Sequence, residues 1–461
     1  MRRTPVVNAS IPHPTVGEVN RLSQIKQLVI MNIVDRYLFD LYISQPTPSN
    51  QLIIPPIIMG EVPYFVSLDE AVRIAKQTPL ILGDETLSLD DAYGRILATD
   101  LTSKVDDPAF DNSAMDGFTM RFEDTLNPPS TLKITGLSQA GSDIETSNVE
   151  VGCAYRIMTG APIPNGADSI LQIELCEVDE QKQSVTLLQQ SKKHFIRKRG
   201  ENLQKGQVAL SKGSILTPSK IGLCATMGHA DVPVVTKAKV AIISTGDELV
   251  PPGQQLQPGQ LYESNSFGLA GLVKWLGHEP HRFNAVPDTL NELRAALDQA
   301  AETCDVILTS GGVSMGEWDL VRKIMQEEGD LKFWRVKLRP GSPPLFGTWK
   351  GTPIFGLPGN PVSSHVVFRM IVAPWLRYST AATGPKETLV RVKLADRVKS
   401  TDDCTTLRRI QIHSTEEGLM GTQGSHQGSG NLESLASADA LTLLQPGQKA
   451  EVGVWIDALI L

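Results

Sequence analysis

The sequence predicts a multidomain α/β plus β protein: a central α/β domain on a parallel sheet, flanked by regions of short β-strands. Three observations predict it. From Lys239 onward, apolar strand runs alternate with helical patterns: strand 240–244, helix 266–276, strand 282–286, helix 290–301, strand 305–310. Strands that alternate with helices argue for a parallel sheet covered on both faces. Residues 131–199 hold short strands between turns, at 131–136, 155–158, 169–173 and 184–188, the pattern of a small β domain. Residues 386–461 are again strand-like with polar turns and read as a terminal β domain. A length of 461 residues leaves room for about three or four domains.

The totals exclude several classes. A net charge of −8 argues against nonspecific binding to nucleic acid. The five cysteines are scattered, with no CxxC and no Cys/His cluster, so neither a disulfide framework nor a zinc site is indicated. A reducing, cytoplasmic location is the expectation. Arg2 and Arg3 are followed by Pro5, Asn8, Pro12, His13 and Pro14 instead of the apolar core of a targeting segment. The apolar stretch 22–43 is interrupted by Gln24, Lys26, Gln27, Asn32, Asp35, Arg36 and Asp40, so no membrane span is expected.

Taken in order, residues 1–59 read as an N-terminal extension. A candidate amphipathic helix near 22–42 precedes a Pro-rich run at 45–56. A poorly ordered tail and a partner-binding helix are both open readings. The folded core is expected to begin near residue 60, with a helix over 68–77. The loop 110–118 is dense in Asp, Asn and Ser, which favour loops and caps. Its Asp111 and Asp116 either present a carboxylate to a cleft or serve turn chemistry. Residues 156–168 form a rigid Pro/Gly loop. The cluster Arg197, Lys198, Arg199, Glu201 has the composition of a surface charge run.

The most informative stretch is 305–319. An apolar strand breaks into Ser310-Gly311-Gly312-Val313-Ser314 and restarts as a helix at Asp319. Glycines let backbone N–H groups approach phosphate oxygens, and a helix start favours negative charge. Gly311 to Gly316 has P-loop spacing, but Glu317 and Trp318 stand where Lys and Ser/Thr belong. The stretch is therefore not a nucleoside-triphosphate P-loop. An ordinary strand-to-helix turn is the plainer alternative. What favours a site is that three strand ends carry acids: Asp247 with Glu248, Asp288, and Glu317 with Asp319. In open parallel sheets ligands sit beyond the carboxyl ends of the strands. Carboxylates gathered there repel unless a cation or protons relieve them. The row Arg335, Lys337, Arg339 is the positive counterpart: in an extended segment all three face one way. A solvated edge strand explains that spacing equally well. The turn 356–364 opens another helix whose N–H groups suit an anion.

These pieces together resemble the MoeA family, the molybdopterin molybdenumtransferases, to which the E domain of gephyrin is also similar. The matching stretches are DNSAMDGF (111–118), RIMTGAP (156–162), RGE (199–201), STGDEL (244–249), SGGVSMGEWD (310–319), PGSP (340–343) and GLPGNPVS (356–363). They run in family order from about residue 60 to the end. The resemblance implies four domains. A dimerisation domain is built from 60–109 and 200–237, with a small β domain, 110–199, inserted in it. A MogA-like molybdopterin-binding domain, 238–384, and a C-terminal β domain, 385–461, follow. It further implies an elongated homodimer whose active site lies between the α/β domain of one subunit and the inserted domain of the other. The implied reaction consumes adenylylated molybdopterin and molybdate, releases AMP and gives the molybdenum cofactor, with Mg²⁺. The implied partner is the molybdopterin adenylyltransferase that makes the substrate.

By the same resemblance, Asp116, Asp247, Asp288 and Asp319 are the catalytic candidates, with Asp247, Asp288 and Asp319 as metal ligands. Thr159, Glu201, Glu248, Gly311, Gly312, Ser314, Arg335, Arg339, Pro358, Gly359, Asn360 and Pro361 are the substrate-binding candidates. Two departures stand out. Asn202 replaces the Asp that often follows Arg-Gly-Glu, and Ser342 replaces a basic residue of the Pro-Gly-Lys-Pro version. A gephyrin-like noncatalytic scaffold, and a paralogue that prefers tungstate, are the alternative readings.

Overall fold

Strand runs that are apolar at every position must be covered on both faces, and the computed structural model has this arrangement. It describes residues 57–59, 62–142, 148–314, 316, 319–424 and 426–461. Glu317, Trp318 and the helix expected near 22–42 lie outside the described residues.

The principal elements are β1 (Ile57–Met59), β2 (Val62–Val66), α1 (Leu68–Ala75), β3 (Lys239–Ser244), α2 (Asn265–Trp275), β4 (Glu279–Arg282), α3 (Leu290–Thr303), β5 (Val306–Ser310), α4 (Leu320–Glu327), β6 (Asp330–Val336), β7 (Leu345–Trp349), β8 (Thr352–Leu357) and α5 (Pro361–Val367). They form an 8-stranded sheet in the order β1-β2-β6-β7-β8-β5-β3-β4. Strands β8, β5, β3 and β4 run parallel. β7 is antiparallel to both of its neighbours. The alternation of β3 is decisive. Val240 and Ile242 pack into one core with Leu269 and Val273 of α2 and Val362 and Val366 of α5. Ala241 and Ile243 pack into the other with Leu293 and Leu297 of α3 and Val321 and Ile324 of α4. The expected helix 266–276 lies at Asn265–Trp275, and the strand expected at 282–286 lies earlier, at Glu279–Arg282.

One grouping differs from expectation. Residues 62–75 were assigned to a segment 60–109 outside the α/β domain. Instead β2 pairs with β6 through Tyr64–Trp334 and Val66–Val336. Ala71 and Ile74 of α1 bury in the same core as Phe333 and Trp375. The apolar stripe of α1 needs that surface, which the sequence order alone does not reveal.

Asp84–Ser88 pairs with Asp231–Val235, and Leu101–Thr102 with Val208–Leu210, around a separate core that includes Leu97, Leu216 and Val234. Between these segments lies a 6-stranded sheet whose members include Gly117–Met120, Ser130–Ser138, Cys153–Ile157 and Ser169–Gln172. The strands Leu389–Leu394, Arg409–Thr415, Gly418–Gln423, Ala440–Thr442 and Trp455–Ile460 close a barrel. Among the described residues no helix is long and apolar enough to cross a membrane.

The barrel is tied to the α/β core by Arg369, which lies in the π-helical turn Phe368–Val372 after α5. Its buried guanidinium bonds both carboxylate oxygens of Glu387 and, at 2.7 Å, the Ile460 carbonyl. Truncating one member of a buried ion pair leaves the other charge uncompensated. Glu387→Ala is therefore expected to lower the unfolding free energy by about 3 kcal/mol, read as an earlier midpoint in urea, with Glu387→Gln intermediate.

Candidate active site

The carboxyl ends of β3, β5 and β8 border a cleft of about 770 Å³. Parallel neighbours end on the same edge, so the turns that follow them meet there. The turn after β3 contributes Thr245, Gly246 and Glu248, and the turn before α3 contributes Asp288. The turn after β5 contributes Gly311, Gly312, Ser314, Gly316 and Asp319. The turn after β8 contributes Pro358, Gly359, Asn360 and Pro361. Asp247 joins this group through its Oδ1, which accepts the Asp288 backbone N–H at 3.1 Å. The Oδ2 of Asp319 accepts the N–H of Gly316.

The glycines serve close approach. Gly311 has φ 110°, and a Cβ there would lie 2.8 Å from Thr245 Oγ1. Gly312 has φ 65°, and a Cβ would press on Val321 at 3.0 Å. The expected anion cradle is narrower than the motif implied, because the Gly311 N–H donates to the Leu357 carbonyl at 3.0 Å.

The acids interact. Burial, followed by the negative charges of Asp247, Glu248 and Asp319, holds the Asp288 carboxyl above its usual range, against the Asp247 hydrogen bond that opposes it. A raised folded-state pKa means the folded chain binds this proton more readily than the unfolded chain. The cluster therefore costs stability at neutral pH, and the cost fades as pH falls through the range of Asp288.

Other expected site residues lie elsewhere in this chain. Asp116 and Thr159 meet each other: Asp116 Oδ1 accepts the Thr159 N–H at 2.6 Å and its hydroxyl at 3.0 Å, which lowers the Asp116 pKa. Both belong to the inserted β region and neither lines the cleft. Glu201 accepts the Lys198 N–H at 2.7 Å within its own turn. Arg335 and Lys337 both stand over the Phe65 ring, but not through regular alternation: Arg335 has φ 67°, and Phe333 and Val336 bury in one core while Trp334 buries in the other. The guanidinium of Arg335 is engaged with the Tyr64 hydroxyl at 2.8 Å, so it does not line the cleft. Arg339 is exposed, and next to burial its charge is what lowers the Arg408 pKa.

Two residues of the cleft carried no sequence signal. Glu263 is buried, with Oε1 accepting from Ser244 Oγ at 2.9 Å and Ser266 N–H at 2.7 Å. Asn265 opens α2 and donates to Ser310 Oγ and to the Gly359 carbonyl, each at 2.7 Å. The polar run Glu263-Ser264-Asn265-Ser266 reads only as a helix start; its partners are remote in sequence.

If the carboxylates repel as described, Asp288→Asn relieves the cluster. At pH 7 it is expected to raise the thermal midpoint by roughly 1–2 °C, since solvent screening keeps such terms small. The gain should vanish as pH falls below the ordinary range of an aspartate, where the carboxyl is protonated in both states and thermal scans of both proteins coincide.

Comparison with known proteins agrees with this architecture. Residues 66–228 match the MoeA N-terminal region (domain I and II), residues 241–378 a probable molybdopterin binding domain, and residues 391–461 the MoeA C-terminal region (domain IV). The chain is 38% identical over 311 residues to the molybdopterin molybdenumtransferase of Haemophilus influenzae, covering 67% of this chain and 76% of that one. It is 34% identical over 411 residues to the molybdopterin molybdenumtransferase of Bacillus subtilis, covering 86% and 94%. A molybdopterin biosynthesis MoeA protein of known structure from Pyrococcus horikoshii OT3 superposes with a TM-score of 0.75 at 28% identity, covering 86% of this chain and 100% of that chain. On the matched regions and these relatives together, the chain belongs to the MoeA family, the molybdopterin molybdenumtransferases.

Proposed function

We propose that this cleft inserts molybdenum into molybdopterin, taking adenylylated molybdopterin and molybdate and releasing AMP by hydrolysis as the dithiolene sulfurs ligate the metal. The observation that carries the reading is the meeting of Asp247, Glu248, Asp288 and Asp319 around one glycine-turned cleft at the ends of parallel strands. Bonding to molybdenum is done by the dithiolene, so the protein's part is to position groups and balance charge.

Mg²⁺ is tested by the donor set. Among the described residues no group of three or more His, Cys, Asp or Glu could hold a metal ion, so Asp247, Asp288 and Asp319 do not form a closed cage. Mg²⁺ does not need one: it takes one or two carboxylates and fills its sphere with water and phosphate oxygens. The raised pKa of Asp288 beside three other acids fits a cation there. Asp247, Asp288 and Asp319 are the residues that would hold it. When bound, Mg²⁺ would polarise the phosphate and offset the carboxylate repulsion. Glu248 limits how close an anionic ester can approach without that cation. The backbone of Gly312 and Ser314, and the turn Pro358-Gly359-Asn360-Pro361, supply the polar wall against which the nucleotide or pterin phosphate rests.

Arg335, Arg339 and Glu201 sit away from the cleft in one chain, as do Asp116 and Thr159. In the homodimer we propose, the inserted β region of the partner subunit closes the cleft. The carboxylate of Asp116, held low in pKa by Thr159, stays charged and orients the substrate from that side. Arg339 would meet molybdate at the rim with its planar donor fork. A cytoplasmic site of action, and delivery of substrate by molybdopterin adenylyltransferase, complete the reading.

Purified chain given adenylylated molybdopterin, molybdate and Mg²⁺ is expected to release AMP and yield active cofactor, with tungstate run in parallel to define metal preference. Asp319→Ala should lower turnover by at least about 100-fold, the scale of removing one preorganised charged group, while the elution volume of the chain stays unchanged. Wild-type turnover in that variant removes Asp319 from the site, and no AMP release by the unmodified chain refutes the reading itself.

A further inference from the structure

Asn265 connects two of the loops that build the cleft, and its geometry fixes a proton. The Gly359 carbonyl can only accept, so the Asn265 atom 2.7 Å from it is the amide nitrogen. The same nitrogen lies 2.7 Å from Ser310 Oγ. An amide NH₂ has two protons and no acceptor capacity, so both protons are spent, one on each oxygen. Ser310 Oγ is thereby an acceptor towards Asn265, and its own proton must point elsewhere. Ser310 is the last residue of β5, lines the cleft, and donates its hydroxyl to no acceptor among the described residues.

The neighbouring carboxylate makes the arrangement firm. Glu263, two residues before Asn265, accepts from Ser244 Oγ at the end of β3 and from both the N–H and the hydroxyl of Ser266, the latter at 2.6 Å. One short segment thus grips β3 through Glu263, and β5 and the turn after β8 through Asn265. Those are three adjacent strands of the sheet.

We infer that Ser310 donates its hydroxyl proton to a phosphate or oxyanion oxygen of the substrate, and that Asn265 is the positioning residue that turns the proton into the cleft. The inference rests on the proposed reading of the cleft as a nucleotide-ester site and adds a neutral donor to it. The role suits its place. Beside four carboxylates, a donor without charge can hold an anionic oxygen without drawing an acid into an ion pair.

The test is AMP binding to the full chain in Mg²⁺, followed by titration calorimetry. Ser310→Ala is expected to weaken binding about tenfold, the scale of a hydrogen bond to a charged group. Ser310→Thr, which keeps a hydroxyl on a strand, should remain within about threefold of the unmodified chain, whereas Ser310→Cys, a poor donor of similar shape, should match Ser310→Ala. Asn265→Ala should weaken binding about fivefold alone and by less than about twofold in the Ser310→Ala background, because residues acting through one contact are not additive. Losses that multiply independently would reduce Asn265 to a structural brace and overturn its positioning role. Should Asn265→Ala fail to fold, the Ala, Thr and Cys series at Ser310 still decides the donor role. Unchanged affinity in Ser310→Ala overturns this inference alone; an unmodified chain that binds no AMP overturns the nucleotide-ester reading with it.

Discussion

Everything at this site depends on the direction of four neighbouring strands. Because β8, β5, β3 and β4 run parallel, their carboxyl ends share one edge, and the turns beyond them have nowhere else to go. Helices on both faces bury the strands, so the strand ends cannot drift with solvent-exposed loops. Acids that are 41 residues apart, such as Asp247 and Asp288, are brought within a hydrogen bond. The burial and repulsion that hold the Asp288 carboxyl above its usual range are what such a cluster costs, and rigid packing below holds it together. This is the usual direction of trade between stability and function at a charged site.

The parallel sheet and its acidic rim were legible because the signals are local. A run such as Val306-Ile307-Leu308 must be buried, and the polar residues that end it must lie at an edge. What was not legible depended on partners distant along the chain. Asn265 reaches Ser310, 45 residues on, and Gly359, 94 residues on, so nothing near it in sequence marks it. Arg335 breaks the strand alternation, with φ 67°, and its partner Tyr64 is 271 residues away; that contact takes it from the cleft to the far side of the sheet order. The same distance hid the membership of β2 and α1 in the large core. Spacing gives which way a side chain faces only while a strand stays regular, and only the topology gives what it faces.

The Asp116–Thr159 pair shows the complementary case. Two motifs separated by 43 residues form one constellation within the inserted β region, since the paired strands Gly117–Met120 and Cys153–Ile157 bring the loops beside them together. The backbone and hydroxyl of Thr159 both donate to one carboxylate oxygen, which leaves the other oxygen of Asp116 for a ligand. A pre-ionised, pre-oriented carboxylate is of little structural use on the exposed surface of a small sheet. That argues for a role outside its own domain.

The two departures from the family motifs are absorbed locally. Asn202 donates its amide to Asp107 Oδ2 at 3.1 Å. An aspartate in that place would set two carboxylates against each other, so asparagine is the residue this turn accepts. Ser342 is buried, and its hydroxyl donates to the Val336 carbonyl at 3.1 Å inside the turn that follows β6. A long basic chain there would need a different path out of the turn, so the positive charge near this turn rests on Arg339 and its neighbour Arg408. Burial and the Arg339 charge lower the proton affinity of Arg408, and such a pair gains from a shared anion, as carboxylates gain from a shared cation. Unlike charges are thus held apart in this chain, acids at the strand ends that line the cleft and arginines beside the barrel, away from it. Such a layout keeps the protein's own charges from neutralising one another, which leaves the acids of the cleft available to a ligand.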